Sequence, residues 1–210
     1  MYKNRISPAV IRRLPKYYYY LQELENDNIE KISSKELSEI TGFTASQIRQ
    51  DLNHFGGFGQ QGYGYRVGDL KESIREIIGL NKGYNVIIVG YGHIGKAIYN
   101  YKGFETKKFN VLSVFDKEAK TDEKSGLEVK SIEELGAFLD NNDVDILVLT
   151  VPKESANDIV EIVKDKNIKG IWNFAPTALS SDINIPIENI LLSESLYALI
   201  YYMGNPDQYE

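Results

Sequence analysis

The spacing of hydrophobic positions changes character near residue 80. Up to that point apolar side chains recur every three or four residues, the period of one helix face. Val10, Leu14, Tyr17, Leu21 and Leu24 predict a helix from about Pro8 to Glu25, with Pro15 as an interior irregularity. Three further helix starts are marked by a capping residue followed three positions later by Glu or Gln: Ser33 with Glu36, Thr44 with Gln47, and Asp69 with Glu72. The helix opened by Thr44 buries Ile48, Leu52 and Phe55 on one stripe, and the one opened by Asp69 carries Leu70, Ile74, Ile77 and Ile78 and stops at Gly79. Asn81-Lys82-Gly83 reads as a polar connector, which puts a domain boundary near residue 81.

Beyond it, short β-rich apolar runs alternate with helical patterns. Strands are expected at 85–89, 109–115, 144–149 and 169–173, and helices at 93–101, 131–139 and 155–166. That alternation predicts parallel β-α-β units in a doubly wound sheet, an α/β fold. The last segment, Ser193 to Met203, sets Leu196, Leu199, Ile200 and Met203 on one stripe, widened by Tyr197, Tyr201 and Tyr202. It can cover its own sheet or dock on a second subunit.

The strand 85–89 delivers Gly90-Tyr91-Gly92-His93-Ile94-Gly95, a Gly-x-Gly-x-x-Gly turn that leads straight into a helix. Gly90 permits the tight turn, Gly92 lets backbone approach a pyrophosphate and Gly95 lets helix and strand pack closely, while the helix N-terminus supplies N–H donors. The next strand ends in Asp116, where a carboxylate can accept hydrogen bonds from a ribose diol and repel a 2′-phosphate, so NAD(H) is favoured over NADP(H). Two later strand exits, Thr150-Val151-Pro152 and Asn173-Phe174-Ala175-Pro176, are expected to flank the nicotinamide half of the same ligand.

In the front half, Thr41-Gly42-Phe43 is the short turn of a helix-turn-helix. The helix after it presents Ser46, Gln47, Arg49, Gln50, Asn53 and His54 opposite its apolar stripe, short or planar hydrogen-bonding side chains suited to base edges and phosphates. From Gly56 to Arg66, glycines interleave with Phe58, Gln60, Gln61, Tyr63 and Tyr65, as in a two-stranded hairpin or wing that reaches the DNA beside that helix.

Composition narrows the options. With 210 residues, no cysteine and two histidines, the chain has no disulfide framework, thiol nucleophile or thiolate metal site. No apolar run is long enough to span a membrane and no secretory signal is visible, so a cytoplasmic location without membrane or metal partners is expected. The formal charge of −6 is concentrated beyond residue 80, and the front half is close to neutral. Acid–base inventory is thin: His54 lies on the DNA-facing helix and His93 in the phosphate loop, and no length remains for a substrate domain. The dinucleotide therefore reads as a signal, not a reagent, and the chain as no enzyme. A small NAD-dependent oxidoreductase and a coenzyme A or other nucleotide-binding module without DNA activity stand as the rival readings.

Over nearly its whole length the chain resembles the Rex family of redox-sensing repressors. The resemblance rests on Ser7-Pro8-Ala9 with Arg12-Arg13-Leu14-Pro15, on Thr44-Ala45-Ser46-Gln47-Ile48-Arg49-Gln50-Asp51-Leu52 with Phe55-Gly56, on Gly62-Tyr63-Gly64-Tyr65, on Gly90 to Gly95, on Tyr101-Lys102-Gly103-Phe104 and on Asn173-Phe174-Ala175-Pro176. It implies a winged-helix DNA-binding domain over 1–80, a Rossmann NAD(H)-binding domain over 84–192 and a helix over 193–210 exchanged between the subunits of a homodimer. It further implies DNA contacts from Arg12, Arg13, Thr44 and Ala45, and a place for Tyr101 at the nicotinamide end. Such a protein would hold an inverted-repeat operator when NADH is scarce and release it when NADH accumulates. Gln50, Gln60 and Gln61 stand where basic residues are common in the family, which implies weaker or less salt-sensitive DNA binding. Tyr19 and Leu191 stand where some members place an Arg and an Asp, so the network those residues form with a tyrosine matching Tyr101 cannot operate here.

Overall fold

The computed structural model describes residues 6–56, 64–101, 108–179 and 183–208. It divides between Lys82 and Gly83 into two units.

In the first unit α1 (Pro8–Asn26) starts from Ser7, whose hydroxyl caps it, and turns Val10, Leu14, Tyr17 and Leu21 inward. These pack with Leu37 of α2 (Ser34–Thr41), Ile48 and Leu52 of α3 (Ala45–Asn53), Phe55, and Leu70 and Ile74 of α4 (Val67–Ile77). The capping boxes expected at Ser33–Glu36 and Thr44–Gln47 both form. The one expected at Asp69–Glu72 does not: α4 begins at Val67, because the chain enters it from β2 (Tyr65–Arg66) and buries Val67, whose N–H donates to Glu30 O. Asp69 pairs instead with Arg66 at the surface.

Residues 57–63 of the expected wing, including Gln60, Gln61 and Tyr63, lie outside the described residues. The part that is described has a partner elsewhere in the unit. Tyr65–Arg66 runs antiparallel to β1 (Lys31–Ile32), a strand too short for the periodicity to reveal. Gly64 sits at φ +71 with its missing Cβ 2.7 Å from Ile32 O, so only glycine fits that approach.

The second unit is a seven-stranded sheet in the order β5-β6-β4-β3-β7-β8-β9. Its strands are β3 (Tyr84–Val89), β4 (Phe109–Asp116), β5 (Lys120–Asp122), β6 (Leu127–Ser131), β7 (Ile146–Leu149), β8 (Gly170–Asn173) and β9 (Ile187–Asn189). Every pairing is parallel except β5 with β6. Numbering the parallel strands in chain order gives 3-2-1-4-5-6, the order of a Rossmann fold, which reverses between β3 and β7. Strand β3 explains its own unbroken apolar run: Ile87 and Val89 join one core, Val86 and Ile88 the other, so both faces are covered. The helices are α5 (His93–Tyr99), α6 (Leu135–Asn141), α7 (Lys153–Val163) and α8 (Leu192–Gly204). The stretch expected as one helix from 131 begins as a 3-10 turn, Ile132–Glu134, capped by Ser131. Strands β5, β6 and β9 were not expected. The first is a polar edge strand closed by Gly126 at φ +70, and such edges carry no apolar alternation.

Helix α8 buries none of its residues within the chain. Leu196, Tyr197, Leu199, Ile200, Tyr201 and Met203 are each more than half exposed.

Candidate functional site

The order reversal puts the carboxyl ends of β3 and β7 side by side, and a cleft of about 690 Å³ opens there. Its floor is the glycine turn. Gly90 stands at φ +99 with Thr150 O 2.6 Å from where a Cβ would be, and Gly95 would place a Cβ 2.0 Å from Gly90 O. Both glycines are demanded by backbone approach. Around Gly92, the N-cap of α5, nothing lies within 4 Å of a Cβ position, and no side chain caps that helix.

Two side chains brace this turn from neighbouring strands. Thr150 Oγ1 donates to Gly90 O at 2.7 Å, and Asp116 Oδ2 accepts from Tyr91 N–H at 2.5 Å. Asp116 Oδ1 accepts from Glu118 N–H at 3.2 Å. A carboxylate has about four acceptor positions, so capacity remains for a ligand diol.

Of the residues expected at the ligand, Gly90, Tyr91, Gly92, His93, Ile94, Asp116, Thr150, Val151, Pro152, Phe174 and Pro176 line the cleft. Gly95, Asn173, Ala175 and Tyr101 do not. Tyr91 lines the cleft, but its ring turns into the opposite core, edge-on to Tyr99, with Lys96 Nζ 5.1 Å from its centroid, and burial pushes its hydroxyl pKa up. Gly95 is buried beneath the turn. Asn173 is fully buried, its amide nitrogen donating to Thr177 O and Asn189 Oδ1 and its oxygen accepting from Ala175 N–H. It shapes the turn that presents Phe174 and Pro176, and Ala175 is buried beside it. Tyr101 is 62% exposed and lies outside the lining.

Sequence reasoning missed five lining residues: Lys117, Glu118, Lys120, Ile132 and Ser155. Lys117 and Glu118 directly follow Asp116 and were readable from that placement, as was Ser155 in the first turn of α7. Ile132 leaves β6, a strand that was not expected. Among the described residues no group of three or more His, Asp or Glu could hold a metal, and no helix is long and apolar enough to cross a membrane.

In the first unit Gly42, at φ +73, ends α2 and turns the chain into α3. Ser46, Gln47, Arg49, Gln50, Asn53 and His54 are exposed along α3, with Thr44 at its cap and Ala45 half-buried. Arg49 Nη1 donates to Ser34 Oγ at 2.9 Å. Arg49 also faces Tyr65, whose hydroxyl pKa is raised by burial and lowered in part by that charge. Arg12 is exposed on α1. Arg13 is half-buried, and its guanidinium grips Asp51 of α3 through Nε and Nη2, at 2.6 and 2.7 Å.

A helix-turn-helix in one unit and a cleft at a strand-order reversal in the other define the class, a helix-turn-helix regulator with a nucleotide-binding fold. Two family models match accordingly: "Putative DNA-binding protein N-terminus" over residues 5–53 and "CoA binding domain" over residues 81–177. The chain is 51% identical over 207 residues to the redox-sensing transcriptional repressor Rex of Clostridium novyi (strain NT), covering 96% of this chain and 97% of that one. It is 49% identical to the Rex of Clostridioides difficile (strain 630), covering 95% of this chain and 96% of the relative. Among solved structures, RSP in complex with β-NAD+ and operator DNA matches with a TM-score of 0.88 at 44% identity, over 99% of this chain and 96% of that one. RSP with β-NADH matches with a TM-score of 0.88 at 41% identity, over 99% and 98%. The chain belongs to the Rex family of redox-sensing transcriptional repressors.

Proposed function

We propose that this protein is a cytoplasmic homodimeric repressor that binds an inverted-repeat operator when NADH is low and leaves it when NADH binds. One observation carries the cofactor half: a glycine turn whose Gly92 opens onto empty space sits in the same cleft as Asp116. Gly90, Gly92, His93 and Ile94 face the pyrophosphate, Asp116 the adenosine ribose, and Thr150, Val151, Pro152, Phe174 and Pro176 the nicotinamide. Gly95, Asn173, Ala175 and the Tyr91 ring support these from behind, and Tyr101 approaches the nicotinamide end. When bound, the cofactor supplies a redox-dependent shape and charge at that end. The five residues assigned to that end, Thr150, Val151, Pro152, Phe174 and Pro176, include no imidazole, carboxyl or amine, which supports a sensor over a dehydrogenase.

Thr44, Ala45, Ser46, Gln47, Arg49, Gln50 and Asn53 face the operator together with Arg12 and Tyr65, and Gln60, Gln61 and Tyr63, outside the described residues, are assigned to the same role. The exposed apolar surface of α8, with Leu196, Leu199, Ile200 and Met203 each more than half exposed, supports its exchange between two copies of the chain. NADH must bind the released form better than the DNA-bound form, and operator must reciprocally weaken NADH binding.

The test is fluorescence anisotropy on a labelled A/T-rich inverted repeat at fixed salt, with protein alone and with NAD+, NADH or coenzyme A. Binding abolished selectively by NADH is expected. Absent or sequence-independent binding overturns the repressor reading, and operator binding released by coenzyme A alone assigns the cleft to coenzyme A in place of NADH, which the CoA-binding family model allows.

A further inference from the structure

Asp51 lies in the middle of the surface proposed to face DNA, yet it is 2% exposed. Its neighbours Arg49, Gln50 and Asn53 point outward while its carboxylate points into the helical core. Three donors from α1 converge on it: Arg13 Nε at 2.6 Å and Tyr17 OH at 2.8 Å on Oδ2, and Arg13 Nη2 at 2.7 Å on Oδ1. Tyr17 is itself fully buried, edge-on to Phe43 in the turn before α3, and Arg13 and Lys16 stand over that same ring. Burial, and then the hydrogen bond to Asp51, hold the Tyr17 proton in place, and the bond to Asp51 holds that of Arg13.

We propose that Asp51 is a positioning residue for DNA reading: clamped by Arg13 and Tyr17, it fixes the rotation of α3 and so the aim of Arg49, Gln50 and Asn53. The inference rests on the reading of α3 as the DNA-facing helix. Helix α3 has nine residues and buries only Ile48 and Leu52 besides Asp51. Apolar attraction is non-directional, so burial of two aliphatic side chains specifies the roll of a short helix less sharply than a polar contact of fixed geometry does. A two-armed guanidinium–carboxylate pair has a fixed plane, so roll of α3 breaks it. Buried pairs often contribute specificity of arrangement more than stability. Arg13 then acts through Asp51 and not at a phosphate.

The full-length protein is titrated against the inverted repeat and against a scrambled duplex of the same composition, across a salt series. Asp51→Asn is expected to lower affinity for the inverted repeat roughly tenfold, the scale of one lost base-pair discrimination, and for the scrambled duplex by less than about twofold. The salt slope stays unchanged, whereas loss of a phosphate contact would reduce it by about 1. Asp51→Glu, which keeps the charge, is expected to recover part of the discrimination. Equal loss on both duplexes, loss on neither, or a slope reduced by about 1 in Arg13→Gln overturns the proposal. If Asp51→Asn loses its helical circular dichroism, Tyr17→Phe decides, since it removes one hydrogen bond and leaves the ion pair. A smaller loss confined to the inverted repeat supports the proposal, and an equal or absent loss overturns it. Arg49→Ala separates the two layers: if it too leaves the inverted repeat unaffected, α3 is not the reading helix and both proposals fall, whereas loss there with none in Asp51→Asn fells the positioning proposal alone.

Discussion

Helices α3 and α5 start in opposite ways. At α3 the orphan N–H groups are answered from within: Thr44 Oγ1 accepts from Gln47 N–H at 3.2 Å, and Gln47 Oε1 accepts from Thr44 N–H at 3.0 Å. At α5 the N-cap is Gly92, no side chain caps the first turn, and the space in front of it is open. A helix whose own end is satisfied has only side chains to offer, which suits the reading of base edges. One whose end is bare offers backbone N–H groups, which suit an anion. The sequence marks the first kind with a Thr-x-x-Gln box and the second with glycines.

The largest break in that contrast is expected in the second unit. Gly95→Ala would put a Cβ 2.0 Å from Gly90 O and 2.9 Å from Thr150 Oγ1. Backbone cannot yield there cheaply, so the unit should lose about 3 kcal/mol or more and NADH binding with it. Thermal denaturation and NADH titration check both. Gly92→Ala sharpens the comparison, because nothing lies within 4 Å of the new methyl group. The melting temperature should stay close to that of the unsubstituted protein while NADH affinity falls steeply. Parallel loss of both in Gly92→Ala would show that the open space belongs to packing and not to a ligand.

In the first unit the matching change is Thr44→Ala. It removes one side-chain acceptor from α3 and is expected to cost about 1 kcal/mol of stability. Urea denaturation followed at the helical signal measures it. NADH affinity should not move. No equivalent cap exists at α5 to be removed, so the two helices differ in what kind of substitution hurts them.

What was legible in the sequence follows the same division. Helix faces of the first unit were readable because Leu14, Tyr17, Leu21, Ile48 and Leu52 keep one period and are all buried. The parallel strands were readable because burial on both faces leaves an unbroken apolar run. The Gly90, Gly92, Asp116, Thr150 and Pro176 positions were readable because strand exits bring them together. Asp51 and Asn173 were hidden. Each is a buried polar residue with a partner on another element, Arg13 and Tyr17 for one and Asn189 for the other, and no local period reports a hydrogen bond across 34 or 16 residues. Arg13 lies one turn before the core residue Tyr17 on α1, which was the available signal, but the family resemblance points Arg13 at DNA and not at Asp51. Edge elements such as β5 were hidden for another reason: they bury too little to need a pattern.

The smallest expected effect compares the carboxylates that anchor the two helices. Asp51 grips α3 to α1 from inside the core, whereas Asp122, on the β5–β6 hairpin, meets Lys96 of α5 at 3.2 Å at the edge of the sheet. That bond to Lys96, and then the N–H groups of Lys124 and Ser125, hold the Asp122 pKa down to about 2 from an ordinary 3.8. A depressed carboxylate contributes stability that is fully present above its unfolded value and lost as pH falls through the folded one, here from about pH 4 to about pH 2. The melting temperatures of Asp122→Asn and of the unsubstituted protein should therefore differ slightly at neutral pH and converge across that window, and added salt should narrow the gap throughout. A gap that persists to pH 2, or that ignores salt, would mean that Asp122 holds α5 by hydrogen-bonded turn geometry and not by its charge, and the two helix anchors would then differ in kind as well as in burial.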